Sequence, residues 1–168
     1  KRIENKYQLN IDNEPKTNNG AEISIINVKD YETVISLEQL QSWCKKIRKQ
    51  KYFSVDTETT SLDEMKAVLV GISMCVKPGE ACYIPIGHSM EDSLTDEKSD
   101  YISIYSQLDL ETVLEHLSPL FSDRTILKIG QNIKYDIKVL SKYGISFSSF
   151  DDTMLMSNCI YGGLQRHS

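Results

Sequence analysis

Three apolar segments in the first half of the chain lack helical spacing and follow one another through short links. They run over Tyr52–Thr57, Ala67–Val76 and Ala81–Ile86, and the last two are joined by Lys77–Glu80, "KPGE". Pro and Gly at the centre of four residues are typical of a tight turn. Consecutive strands with short connections pair antiparallel, because parallel neighbours need a longer crossover. The sequence therefore predicts an antiparallel meander.

Helices and further strands surround this meander. Before the meander, the pattern predicts strands over Ile23–Val28 and Tyr31–Ile35, followed by a helix that begins at a Ser36/Gln39 capping box. After the meander, it predicts a helix capped by Asp109, a strand over Thr125–Ile129 and a helix with Asn132 at its N-cap. Last comes a strand end that runs into a helix in "FDDTMLMSNCIYGG". A meander followed by helix–strand crossovers gives a mixed sheet, with helices packed on its faces. The predicted fold class is α/β.

Composition sets the domain organisation and excludes some functions. The chain has 168 residues, enough for one domain with a real core, and a polar, Asn-rich start predicts a linker or poorly ordered arm over residues 1–21 before a domain over 22–168. It begins with Lys1 and has no apolar stretch long enough for a membrane span, so we interpret it as a piece of a longer cytoplasmic protein with no membrane partner. The four cysteines contain no C-x-x-C pair, which predicts reduced thiols.

The charge balance argues against a high-affinity nucleic-acid module. The formal net charge is −5, without the basic footprint of a duplex-binding protein. This charge is still compatible with an enzyme that binds a short end of a nucleic-acid strand through metal ions.

Two acids stand at the end of the first meander strand, in "FSVDTETTSLD". In a strand, Phe53, Val55 and Thr57 share one face. Ser54, Asp56 and Glu58 share the other face. At about 6 Å and an effective dielectric of about 20, two carboxylates repel by roughly 3 kcal/mol. That repulsion must be offset, or one acid must stay protonated.

A third acid offers an explanation. Asp136 lies one turn after Asn132, beside residues expected to pack inward. If the first meander strand is central, then Asp56, Glu58 and Asp136 converge where that strand ends near the crossover helices. Divalent cations relieve such repulsion, and hard oxygen ligands favour Mg²⁺ or Mn²⁺. The D-x-E motif alone is a weak signal, and the hypothesis of a metal site rests on the combination of all three acids.

These motifs resemble a known family. "FSVDTETTSLD", "LKIGQNIKYDIKVL" and "FDDTMLMSNCI" are similar, in order, to the first two exonuclease motifs and the following segment in the proofreading domains of family A DNA polymerases. These domains belong to the DEDD superfamily. The resemblance implies a ribonuclease-H-like fold, a 3′–5′ exonuclease that removes mispaired nucleotides, and a bacterial cytoplasmic location. It also implies a polymerase domain in the same chain.

The resemblance assigns roles to individual positions. Asp56, Glu58 and Asp136 match the acids that hold two divalent cations, Mg²⁺ or Mn²⁺, with no small-molecule cofactor beyond the product nucleotide. Leu62 matches a residue that wedges against the terminal bases of a single-stranded 3′ end of DNA. The implied substrate-binding positions are Thr57, Leu62, Gln131, Asn132, Tyr135 and Met154.

One departure from the family pattern limits the expected activity. The family's third motif is Tyr-x-x-x-Asp, but after Asp136 this sequence has Phe147 four residues beyond Tyr143, and Gln165 four residues beyond Tyr161. The chain alone is therefore expected to be inactive or nearly so. Two alternatives stay open at this stage: a structural domain without catalysis, and a ribonuclease-D-like RNA exonuclease.

Overall fold

The computed structural model describes residues 31–88 and 107–162. The predicted arm over residues 1–21 and the predicted strand Ile23–Val28 lie outside this part. The elements are β1 (Glu32–Thr33), α1 (Leu37–Gln50), β2 (Tyr52–Thr59), β3 (Leu69–Lys77), β4 (Glu80–Pro85), α2 (Leu110–Ser122), β5 (Leu127–Gly130), α3 (Lys134–Ser141), β6 (Phe150–Asp152) and α4 (Thr153–Tyr161).

The strands form one mixed sheet in the order β1-β4-β3-β2-β5-β6. The pairs β2–β3 and β3–β4 are antiparallel, so the predicted meander is confirmed. The pairs β2–β5 and β5–β6 are parallel, as the predicted crossovers require, and the edge strand β1 also pairs parallel with β4. β2 lies between β3 and β5, which confirms that the first meander strand is central.

The core lies on the face of the sheet that carries α1 and α2. Phe53 of β2 is fully buried, and its ring contacts Phe121 of α2 with centroids 5.6 Å apart. α1 begins at the predicted capping box, in which Ser36 accepts from the Gln39 N–H and the Gln39 side chain accepts from the Ser36 N–H. Trp43 on its buried face donates its indole N–H to Glu32 of β1 at 2.8 Å. The apolar spacing of α1 thus fixes how this helix covers the sheet.

The start of α3 differs from the sequence prediction. Asn132 is not the N-cap: it has a left-handed backbone with φ of 54°, and the N-cap position falls on Ile133, which makes no side-chain capping bond. The physical reason is a carboxylate from outside the helix, because Asp152 accepts the backbone N–H groups of both residues. A distant acid therefore does the capping that local sequence assigned to Asn132.

Two smaller predictions can be compared with the described residues. All four cysteines, Cys44, Cys75, Cys82 and Cys159, are free, as predicted. No helix in the described ranges is both long and apolar enough to span a membrane.

Candidate active site

The carboxyl end of β2 places two acids on an open surface. Burial alternates along the strand: Val55 and Thr57 are buried, whereas Asp56 and Glu58 are exposed. β5 pairs with β2 only from Tyr52 to Ser54. Beyond that point the edge of β2 that faces β5 has no strand partner, so its backbone groups need another one.

Asp136 fills that need. Its Oδ1 atom accepts the backbone N–H of Thr57 at 2.9 Å and the Thr57 hydroxyl at 2.6 Å. The residue is only 2% exposed. Both bonds use the same oxygen, and within the described residues no hydrogen bond reaches Oδ2. The geometry thus holds one oxygen of the carboxylate firmly and leaves the other available.

The surroundings of Asp136 make its charge costly. Burial is the main cause that raises the pKa of this carboxyl, and the negative charge of Asp56 raises it further. The hydrogen bonds from Thr57 act in the opposite direction but do not cancel these effects. A cation near Asp136 and Asp56 would relieve both causes at once.

The expected convergence of the three acids is incomplete. Asp56 and Glu58 lie on the exposed face, while Asp136 is buried against Thr57 on the other side of the strand. In the two described ranges, no three His, Cys, Asp or Glu side chains are grouped closely enough to hold a metal ion. Asp136 on α3 thus contacts the strand end that carries Asp56 and Glu58, but the three acids do not form a finished ligand shell.

α3 also organises the loop that follows β2. The Tyr135 hydroxyl donates to the carbonyl of Ser61 at 2.5 Å, and Lys138 forms an ion pair with Glu64. Leu62, between these two attachment points, is 96% exposed. Leu62 therefore projects into solvent from a loop that α3 anchors at two points.

The remaining predicted positions lie around the start of α4. The Gln131 side chain accepts from the Thr153 hydroxyl at 2.5 Å, and Asn132 is exposed just before α3. Met154 is half-buried in the first turn of α4, where its N–H donates to Asp152 at 2.9 Å. These residues thus flank β2 on the side of β5 and β6.

An open groove of about 690 Å³ runs along the exposed sheet face. Of the predicted site residues, Asp56 and Gln131 line it, together with Tyr83 of β4 and Thr153 of α4. The groove therefore joins the acidic strand end to the start of α4.

Comparisons with known proteins now bear on this geometry. The family described as 3′–5′ exonuclease matches residues 31–168. DNA polymerase I of Pseudomonas aeruginosa is 37% identical over 157 residues, which cover 89% of this chain and 16% of that protein. The chain belongs to the 3′–5′ exonuclease family of DNA polymerase I. DNA polymerase I of Rhizobium leguminosarum is 36% identical over 82% of this chain and 14% of its own length. The chain thus spans about a sixth of the curated relatives it matches.

Solved structures agree on the fold of this exonuclease chain. Ribonuclease D of Trypanosoma brucei, solved in complex with the RNA U12, superposes with a TM-score of 0.57 at 18% identity, over 77% of this chain and 39% of that one. Escherichia coli ribonuclease D, an exoribonuclease involved in structured RNA processing, gives 0.53 at 17% identity over 76% and 28%. The predicted ribonuclease-H-like α/β fold is confirmed.

Sequence reasoning missed two features of the candidate site. Asp152 stands before a predicted helix, which is a recognisable N-cap signal, but nothing local indicates that it also binds the start of α3. Tyr83 and His88 lie beside the acidic strand end only because β4 pairs with β3. No signal within "YIPIGH" could have shown that placement.

The cost of the Asp136 charge gives a testable prediction. We expect Asp136→Asn to stabilise the metal-free chain at neutral pH by about 1 kcal/mol, in the range of single stabilising substitutions. The amide oxygen can still accept both bonds from Thr57, and the buried charge is gone. Urea unfolding at pH 7 measures the difference.

The pH dependence supplies the control. Because folding raises the pKa of Asp136, the wild-type chain gains stability as the pH falls through that pKa, and the gain is complete below the value in the unfolded chain. The variant lacks this gain, so its advantage should shrink at acid pH. A variant that is less stable than wild type at pH 7 would contradict the strain we assign to this carboxylate.

Proposed function

We propose that this chain belongs to the proofreading exonuclease of a longer DNA polymerase I, and that the longer protein hydrolyses the terminal phosphodiester at single-stranded 3′ ends of DNA. The observation that carries this proposal is the presence of all three acids of the first two family motifs, in a chain 37% identical to a DNA polymerase I over most of its length. A structural domain without catalysis would have no need of two acids at the end of β2 and a third, on α3, bound to the same strand. The proposed location is the bacterial cytoplasm.

The donor chemistry at the end of β2 fits divalent cations. Asp56 and Glu58 are exposed and form no ion pair with any described basic side chain, and one oxygen of Asp136 has no hydrogen bond in the same part of the chain. Carboxylate oxygens are the ligands that Mg²⁺ and Mn²⁺ prefer. When bound, two such ions supply the positive charge that activates water and stabilises a leaving oxygen. The roles proposed for these three acids are those of ligands.

The residues around the acids suit a short single-stranded end. Leu62 projects from the loop held by Tyr135, and Gln131 and Asn132 are exposed on the β5 side. Stacking and a few polar contacts bind single strands with little dependence on base identity. With a net charge of −5, this surface does not suit extended contact with duplex phosphates.

The test uses the full-length polymerase with 5′-labelled single strands of DNA and RNA of one sequence. We expect products shortened one nucleotide at a time from the 3′ end of DNA in Mg²⁺, cleavage of RNA at least about tenfold slower, and no cleavage with a chelator. The 168-residue chain, assayed by itself, is expected to be inactive and serves as the negative control. Faster cleavage of RNA would favour a ribonuclease-D-like enzyme, and no shortening of either strand would favour a structural domain.

A further inference from the structure

A tyrosine hydroxyl occupies the place of a missing side chain on the exposed sheet face. A Cβ atom built on Gly71 of β3 would lie 2.0 Å from the hydroxyl oxygen of Tyr83 and 2.4 Å from its Cζ atom. No real side chain tolerates such distances, so the ring of Tyr83 lies directly over Gly71 because residue 71 is a glycine. β3 therefore leaves space for the Tyr83 hydroxyl at one defined point of the sheet.

That point is directly across from Glu58. Gly71 is the cross-strand partner of Glu58 in the β2–β3 pair. Side chains of directly opposed residues project on the same face, with Cβ atoms about 5 Å apart. The Tyr83 hydroxyl thus lies where the side chain of the residue opposite Glu58 would lie, within reach of the Glu58 carboxylate. The pKa of Tyr83 is raised to about 12, mainly by burial and further by the charge of Glu58, which agrees with this proximity.

His88 fixes the orientation of the Tyr83 hydroxyl. Its Nε2 atom lies 2.6 Å from the hydroxyl oxygen, and the two rings meet edge to face with centroids 5.8 Å apart. The backbone of His88 is itself held on both sides, because its N–H donates to Gln107 Oε1 at 2.8 Å and its carbonyl accepts from Gln107 Nε2 at 3.0 Å. The backbone of His88 is therefore anchored where its imidazole meets the Tyr83 hydroxyl.

Counting donors gives the proton arrangement that a role for this pair requires. A phenol has one O–H donor and accepts through its oxygen, and a neutral imidazole donates through one nitrogen. With the proton on Nε2, His88 donates to Tyr83, and the tyrosine O–H is free to donate to the acid across the strand. We propose that Tyr83, oriented by His88, is a positioning residue that holds the Glu58 carboxylate of the exonuclease site. This inference rests on the proposed function, because it assigns Glu58 a role in excision.

The experiment compares Tyr83→Phe with wild type in the full-length polymerase. The ring still covers Gly71, so the melting temperature should stay within about 2 °C while the hydroxyl is lost. We expect kcat for excision of single-stranded DNA to fall about tenfold, with KM within twofold. Electron paramagnetic resonance titration with Mn²⁺ alone, without DNA, should show Kd raised about fivefold at the exonuclease site. Unchanged kcat and Mn²⁺ affinity would overturn the positioning role.

Two further variants separate positioning from structure. His88→Ala should lower kcat in the same direction, and His88→Gln, whose amide can again donate to the hydroxyl, should restore part of the loss. Tyr52→Phe is the matched control: its hydroxyl accepts from Gln50 at the far end of β2, so excision should not change. A wild-type polymerase that fails to excise would refute the proposed function itself. Normal wild-type excision with an equally active Tyr83→Phe refutes only this inference.

Discussion

Replacing Asp56 by Ala in the proposed full-length polymerase is expected to lower excision of single-stranded DNA by at least about 10³-fold, while DNA synthesis is unchanged. Asp56 lines the exposed groove, and its negative charge acts on Asp136, so its loss removes a proposed ligand that is open to the groove and close enough to Asp136 to share a cation with it. A factor of 10³ corresponds to about 4 kcal/mol of transition-state stabilisation, which is typical for loss of metal-ion catalysis. Single-turnover excision and primer extension measure the two activities separately.

Ser54→Ala is the matched control for this change. Ser54 is exposed on the same face of β2, two residues before Asp56, and it lines the same groove. It has no carboxylate to offer a cation, so we expect excision within twofold of wild type. Excision by Asp56→Ala within tenfold of wild type would contradict the ligand role. A parallel loss of synthesis would indicate general damage to the protein.

The order of strands and helices was predictable because it depends on local pattern. Alternation along β2 correctly separated Phe53 and Val55 from Asp56, and the capping box located the start of α1. Each of these signals acts within a few residues, so one sequence contains it completely.

Long-range pairing limits what the sequence can predict. Lys128 in β5 is fully buried, and its ammonium group donates to the carbonyls of Asp123 at 2.9 Å and Ile126 at 2.8 Å. Hydrophobicity alone would place Leu127 and Ile129 inward instead. The same limit affects the candidate site. The spacing of acids suggested that Asp136 lies near β2, but not that its Oδ1 atom would be bound by Thr57.

Asp152 is the second residue whose loss should have a large effect. Its Oδ1 atom accepts from the N–H groups of Asn132 at 3.1 Å, Met154 at 2.9 Å and Leu155 at 3.4 Å, and its Oδ2 atom accepts from Ile133 at 3.1 Å. One buried carboxylate thus caps α4 and at the same time fixes the turn that leads into α3. The positions of Tyr135 and Asp136 on α3 therefore depend on this turn.

We expect Asp152→Ala to lower the free energy of unfolding of the chain by roughly 3–5 kcal/mol. Hydrogen bonds to a charged group each contribute about 1.5–3 kcal/mol, and the freed N–H groups of Ile133 and Asn132 have no other described acceptor. For a chain of this length the loss corresponds to a fall in melting temperature on the order of 10 °C. Urea and thermal unfolding measure it.

Two further variants, Asp151→Ala and Asp152→Asn, make this prediction specific. Asp151 precedes Asp152 on the same short strand and has no side-chain hydrogen bond within the described ranges, so Asp151→Ala should change stability by less than about 0.5 kcal/mol. Asp152→Asn keeps one acceptor oxygen but turns an amide N–H toward a backbone donor, and it should therefore lose about 2 kcal/mol. If the two alanine variants were equally stable, the carboxylate would not be what joins α4 to α3. The placement of Asp136 beside Thr57 would then need another cause.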